Sequence, residues 1–369
     1  MLRDRRSGRC TEPGSLGAGS ARRVSVGSQE RAGPLVVGRS THLRPIARGS
    51  NTMSAATRPQ VSVVLPVYNA VDSLGRAVDS VLEQTVGDLE LIVVDDGSTD
   101  GTPSLVADAY GREPRVRMVR LPRNRGPAHA RNVALAAASG TWIGLVDADD
   151  AWRRDRLARL LAHAEGADAV FDNLLERDPV TGEVAGPLFP SLPSGPLTIE
   201  GLLAPTAPGS RYNYGYLKPL VRREFLRART IAYDESLRTS EDLLLYLVLL
   251  LEGAVTRMVD EALYVYTVPV SRTGSPSAAS NTVPRDDEVR AALADVSARY
   301  SDRIGGAAVH ALSQRIAFLE RIRPVSEFDH ARRRREYRRA TALFVAHAAV
   351  RREVVLRLRS RLSRRSRRS

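Results

Sequence analysis

The four residues Asp147-Ala148-Asp149-Asp150 put three carboxylates at the end of an apolar run that starts at Trp142. Like charges this close raise one another's pKa and cost stability, so the segment needs a positive partner. Oxygen ligands with no Cys or His beside them suit a hard divalent cation, Mg2+ or Mn2+, which takes one or two carboxylates and fills its shell with substrate phosphates. A D-x-D pattern alone is common on acidic surfaces. Here it gains weight from the buried-looking run before it and from a matching acid pair upstream, Asp95 and Asp96, which ends the run LELIVVD. A strand-end carboxylate can accept from a nucleobase imide or a ribose hydroxyl. Ser98, Thr99 and Asp100, in the same turn, read as turn and helix-cap residues.

Alternating apolar runs and helical periods position these acids. VSVVLPV (61–67), LELIVVD (89–95), VRMVRL (116–121) and TWIGLVD (141–147) read as strands. Helices are expected at 74–82, 102–110 and 127–138, the last with Pro127 in its first turn. Strands and helices in alternation give an α/β fold with a mainly parallel sheet, whose ligands bind beyond the carboxyl ends of the strands. Asn69, Asp95, Asp96, Asp147 and Asp149 all fall at such ends and should share one rim. The nine-residue run Leu243–Leu251 falls far short of the roughly 20 residues that span a bilayer, and reads as a buried helix.

The net charge of +13 is unevenly spread. Residues 1–57 hold 10 Arg against 3 acids and residues 321–369 hold 17 Arg against 4, which leaves the body at −7. The basicity therefore belongs to the two ends, and no specific nucleic-acid partner is expected. Residues 1–57, rich in Gly, Ser, Arg and Pro, read as a disordered leader, with Met53 as an alternative start. A single cysteine, Cys10, excludes an internal disulfide and fits a reducing, cytoplasmic setting.

VVLPVYNA, VVDDGSTDGT, RNRGPAHARN, LVDADDAW and TSEDLLL, in this order over residues 60–250, resemble the inverting family 2 glycosyltransferases of the GT-A fold. A looser likeness, through DNLLERD and YGYLKPLVRREFL, is to exopolysaccharide glucosyltransferases of the succinoglycan type. The resemblance implies transfer from a nucleotide-sugar donor, a UDP-hexose, to a glycan or lipid-linked saccharide acceptor. Pro66, Tyr68, Asp95 and Asp96 would hold uracil and ribose, Asp147 would lie near the ribose or sugar, and Asp149 would carry the metal. Arg131 would face the phosphates or fix the acidic rim, and Asp242, with Glu241 beside it, would be the base. An acidic start to the helix at Leu243 accounts for the last pair equally well, because acids favour its positive dipole end. A polyprenyl-phosphate sugar synthase is the alternative activity.

The domains expected are a leader at 1–57, a GT-A domain at 58–270, a linker and helical extension at 271–330, and a basic amphipathic helix and tail at 331–369. If Arg332–Leu362 is one helix, Tyr337, Ala340, Phe344, Ala348, Val355, Leu358 and Leu362 share a stripe, suited to an anionic membrane surface at the inner face of the cell membrane or to packing on the catalytic domain. Asp150 is read as loop bracing, Asn132 as a cap or brace, His129 as a helix residue without chemistry, and Trp152 as a wall of the site or packing beneath it. Asp172 and Asn173 are candidate donor-sugar contacts. Tyr212, Tyr214 and Tyr216 are either an acceptor surface or alternate residues of a strand. Lys218, Arg222 and Arg223 are read as a solvated basic face or a phosphate site.

Overall fold

The computed structural model describes residues 58–193, 195–204, 213–268 and 286–355. The leader, Tyr212, Leu358 and Leu362 lie outside the described residues. The first half alternates as expected: β1 (Val61–Val67), α1 (Leu74–Leu82), β2 (Leu89–Asp95), α2 (Thr102–Tyr110), β3 (Val116–Arg120), α3 (Pro127–Ala137) and β4 (Trp142–Leu145). There follow β5 (Ala151–Trp152), α4 (Arg156–Ala162), β6 (Ala169–Arg177), β7 (Val184–Pro187), α5 (Ile199–Leu203), a 3-10 turn (Tyr214–Tyr216), β8 (Leu220–Arg222) and α6 (Arg223–Ala228). The last elements are α7 (Glu241–Leu251), β9 (Thr256–Thr267), α8 (Asp286–Arg299), α9 (Gly306–Arg333) and α10 (Tyr337–Ala346).

The strands form one mixed sheet in the order β3-β2-β1-β4-β8-β6-β9-β5, with β7 beside β6. β1 pairs in parallel with β2 and β4, and β2 with β3, whereas β8 runs antiparallel to β4 and β6. β1 and β2 are nearly continuous runs of Val, Leu and Ile buried along their length, the pattern of strands covered on both faces. The chain steps outward from β1 to β3 and then returns across β1, through α3, to β4. That reversal opens a crevice between the carboxyl ends of β1 and β4. Val67–Asn69 and Val146–Asp149 border it, with Asp95 and Asp96 on the next strand.

α1 buries Leu74, Ala77, Val78 and Val81, at helical spacing. α7 buries every residue except Leu250, as a helix apolar all round must. α8 and α9 add Val289, Leu293, Val296, Leu312 and Leu319 to the same core, with Tyr300 just after α8.

Beyond α9 the expectation of one amphipathic helix fails. The chain breaks at 334–336, where Arg335 takes φ +60, and again at His347. Ala340 and Val350 fold back on Phe328 and Ala331 in a small separate core, with Phe344 beside them. Much of the stripe is thus spent on a helical hairpin, and Ala348 and Val355 lie exposed.

Arg156 and Asp172 are both wholly buried. Arg156 donates to both carboxylate oxygens, at 2.8 and 2.7 Å, and its guanidinium stacks 4.5 Å over Trp152 and 5.2 Å over Tyr264. Asp172 is therefore a structural partner, and Asn173 is likewise tied to Phe189 and Leu174, so the expectation of sugar contacts at these two residues is corrected. Removing one member of such a pair strands the other's charge in the core. Asp172→Ala is expected to cost about 3–5 kcal/mol in urea unfolding.

Candidate active site

Two buried cations organise the acids at the crevice. Arg131, at 4% exposure, points from α3 to Glu241 Oε1 at 2.5 Å and to Asp147 Oδ1 at 2.7 Å. Lys218, at 5% exposure, reaches Asp147 Oδ2 at 2.9 Å and Asp242 Oδ2 at 2.6 Å. Asp147 at the end of β4 is thereby linked to both acids at the start of α7. Burial alone would raise the pKa of Asp147, but Lys218 and Arg131 more than offset it and hold the carboxyl well below its ordinary range. Lys218, despite burial, stays protonated, because Asp147 and Asp242 raise its pKa above the ordinary lysine range. Asp242 Oδ1 makes no hydrogen bond of normal geometry, with Arg131 Nη1 4.0 Å away and Tyr233 nearby.

The residues of the 147–150 run divide by partner. Asp150 is buried and accepts from the Tyr264 hydroxyl at 2.6 Å and the Thr267 N–H at 2.7 Å, so it braces the loop. The same hydroxyl accepts the Asp147 N–H at 3.1 Å. Asp149 has its backbone carbonyl held by Arg76 at 2.6 Å, yet among the described residues its carboxylate has no close ion pair. Burial and the charge of Asp147 push it up to about 6, and Lys218 and Arg76 offset only part of this. An under-compensated, all-oxygen donor at the crevice fits Mg2+ or Mn2+ in kind. Among the described residues no group of three or more His, Cys, Asp or Glu could hold an ion unaided. Trp152 is buried beneath the guanidinium of Arg156 and so packs below the site.

On the β1 and β2 side, Tyr68 is 40% exposed and Pro66 half-buried at the rim. Asn69 adopts φ +49, an uncommon conformation for any residue but Gly. Its side chain accepts the Thr99 N–H at 2.8 Å, and its own N–H donates to Ser98 Oγ at 2.9 Å. Asp100 accepts the Thr102 N–H at the start of α2. Asp95 and Asp96 lie deeper than their strand-end position implied. Asp95 Oδ1 accepts the Ser98 N–H and Oδ2 faces Arg120 at 3.4 Å. Both oxygens of Asp96 accept backbone N–H groups, from Arg125 at 2.9 Å and Gly126 at 2.7 Å. Burial raises its pKa, against the pull of those two bonds. Gly126 has φ +98, and a Cβ there would meet Arg238 Nη1 at 2.1 Å.

The segment leading to Asp242 is pinned to α3. Asn132 holds both backbone groups of Tyr233, donating to its carbonyl at 2.9 Å and accepting its N–H at 2.8 Å. His129 Nδ1 lies 3.0 Å from Glu235 Oε2. Asn132 is thus a brace. Ser240, before α7, takes φ +63 and gives no side-chain cap, so Glu241 and Asp242 occupy a first turn whose acids face inward to Arg131 and Lys218.

Three basic residues are not a solvated face. Arg222 lies 4.5 Å over the Trp142 ring and bonds the Ala167 carbonyl, and Arg223 bonds the Gly140 carbonyl. Lys218, read from the sequence as part of a solvated face or a phosphate site, is instead buried among carboxylates. Its signal is one cation in the apolar run Leu217–Val221, since a buried cation demands a carboxylate partner. Arg76 and Tyr264 carry no such signal. The strand alternative for Tyr214 and Tyr216 also fails: they form a 3-10 turn and pack edge-on against Phe189 and Tyr266.

Comparison with known proteins places this geometry. Residues 62–216 match the model of glycosyl transferase family 2. The succinoglycan biosynthesis protein ExoO of Rhizobium meliloti (strain 1021) is 39% identical over 230 residues, covering 59% of this chain and 63% of its own. The chain thus spans less than two thirds of the curated relatives that it matches. S. aureus TarS 1-349 in complex with UDP-GlcNAc is 20% identical with a TM-score of 0.52, over 77% of this chain and 90% of that one. The mannosyltransferase PcManGT from Pyrobaculum calidifontis, in complex with GDP-Man and Mn2+, is 23% identical with a TM-score of 0.51, over 83% and 81%. These likenesses fix the fold as GT-A. Over residues 62–216 the chain is similar to glycosyl transferase family 2.

Proposed function

We propose that the chain transfers a hexosyl group from a UDP-sugar to a hydroxyl of a glycan or lipid-linked saccharide in exopolysaccharide or envelope synthesis, with inversion at the anomeric carbon. The observation that carries this reading is the placing of Asp242: Lys218 holds its Oδ2 and, through the same nitrogen, ties it to Asp147 at the crevice. In the reaction the acceptor O–H proton passes to Asp242 as that oxygen bonds the anomeric carbon from the face opposite the diphosphate. The bond from that carbon to the diphosphate oxygen breaks, and its electron pair leaves with the nucleotide. Asp149 would hold Mg2+ or Mn2+, which when bound supplies positive charge for the leaving diphosphate. Pro66, Tyr68 and Asp95 form the nucleoside side of the crevice. Asp96 keeps its two backbone bonds and shapes that wall, while Arg131 and Lys218 keep Asp147 ionised and oriented toward ribose or sugar. The nucleotide sugars held by TarS and PcManGT and the ExoO name support the donor class and the pathway class. A polyprenyl phosphate as acceptor is the second reading. It arrives ionised and needs no base, so Asp242 would then have no task.

The work would be done at the cytoplasmic, inner face of the membrane. Tyr337 and Val345 stand exposed on α10 near Arg338 and Arg339, and an anionic surface attracts each such cation by about 1 kcal/mol. No helix of the described residues is long and apolar enough to cross a membrane. The chain should float with anionic vesicles at low salt but not with zwitterionic ones; equal recovery from both would remove the membrane partner.

Turnover is checked by release of UDP from a panel of UDP-hexoses with Mn2+ and an oligosaccharide acceptor. Asp242→Asn should lower kcat about 10²–10⁴-fold with UDP binding kept. Full activity in that variant rejects Asp242 as base. Asp149 also sets a pH-dependent stability. Its pKa is raised in the folded state, so its ionisation destabilises the fold as pH climbs from about 4 through 6. In chelator, Asp149→Asn should match wild type in melting temperature near pH 4 and exceed it at pH 7.5. Added Mn2+ and UDP should then stabilise wild type only.

A further inference from the structure

The backbone that carries Lys218 is clamped from two directions. Tyr246, one turn along α7 from Asp242, donates its hydroxyl to the Leu217 carbonyl at 2.6 Å. Arg156, itself fixed by Asp172 and stacked on Trp152 and Tyr264, donates to the Lys218 carbonyl. Both clamping side chains are fully buried, so the cost of letting them go is high. An ammonium on a flexible stem is an unusual choice for a fixed cation. Here the stem is held at its root, and the tip has two carboxylates on different elements, at 2.9 and 2.6 Å.

We propose that Lys218 is the positioning residue of the transfer reaction: it fixes the orientation of Asp242 and sets the spacing between that base and the donor-side carboxylate Asp147. This rests on the glycosyltransferase reading with Asp242 as base. Lys218 holds Asp242 by Oδ2, while Oδ1 is buried toward Arg131 and Tyr233. Because the same nitrogen binds Asp147, the donor side and the base move as one unit. Arg131 repeats the link less tightly, with Nη2 on Asp147 and Nη1 4.0 Å from Asp242 Oδ1, its main hold being on Glu241. Without Lys218, the carboxylates of Asp147, Glu241 and Asp242 would share the single cation Arg131. The phenols of Tyr233 and Tyr246 also face Asp242, and they bring no positive charge.

The test uses the full chain, UDP-hexose, Mn2+ and acceptor. Lys218→Met keeps length and removes charge. Loss of the fixed geometry should lower kcat about 10²-fold per folded molecule. The loss should fall on kcat, with UDP affinity kept within about threefold. In the Asp242→Asn background the same substitution should cost less than threefold, since Lys218 acts through Asp242. A loss carried by UDP affinity instead of kcat, or a full second loss in that background, overturns the proposal and implies a merely structural lysine. Should Lys218→Met not fold, Lys218→Arg decides: it keeps the charge but has a longer, forked head, so kcat should fall about tenfold with UDP affinity kept. Wild-type kcat in that variant overturns the proposal. Full activity in Asp242→Asn alone rejects the base and with it this proposal, whereas no turnover of any UDP-hexose by the wild-type chain rejects the glycosyltransfer reading itself.

Discussion

The site depends on two cations held out of water, Arg131 and Lys218, set among the acids of β4 and α7. A carboxylate buried beside two others would take up a proton or keep the chain from closing over it. Two positive charges within hydrogen-bond reach instead hold Asp147 ionised and join segments almost a hundred residues apart. Buried pairs of this kind add little net stability, because desolvation consumes most of the attraction. What they add is geometry: Arg131 and Lys218 hold Asp147 at fixed distances from both acids at the start of α7.

The surrounding loops are built to keep this charge pattern still. Asn69 stitches the loop after β1 to the turn after β2, Asp96 holds the two N–H groups before α3, and Asn132 holds both backbone groups of Tyr233. Arg156 anchors Lys218 from below and Tyr264 ties Asp147 to Asp150. Most polar groups at the crevice are therefore already spoken for. Against that background, the carboxylate of Asp149 stands out by having too little positive charge near it. A site of this type stores a modest electrostatic penalty where its ligand will relieve it, and satisfies its other groups internally.

Much of this was legible in the chain itself. The apolar runs and 3.6-residue periods from Val61 to Leu145 yield β1 to β4 and α1 to α3 almost to the residue, because in most of these elements burial is decided by a locally readable apolar pattern. Strand ends follow from the elements, so the acids at 95–96 and 147–149 could be assigned to one rim. The C-terminal stripe misled. Periodicity states which residues want burial without saying what will cover them, and Phe328 and Ala331 supplied that cover from the preceding helix.

The sequence determined the elements, the sheet class and the chemical kind of the site, because these depend on local pattern and residue type. It could not decide which acid meets which cation. Arg131, Lys218, Asp147 and Asp242 meet only after α3 crosses to β4 and the segment before α7 docks on α3. Partner choice among charges is set by distances of a few ångströms between remote segments, and no spacing along the chain encodes them. The same limit hid Asp172: a carboxylate at a strand end reads alike whether a ligand or a buried arginine answers it, and only the packing of α4 against β6 chose the arginine.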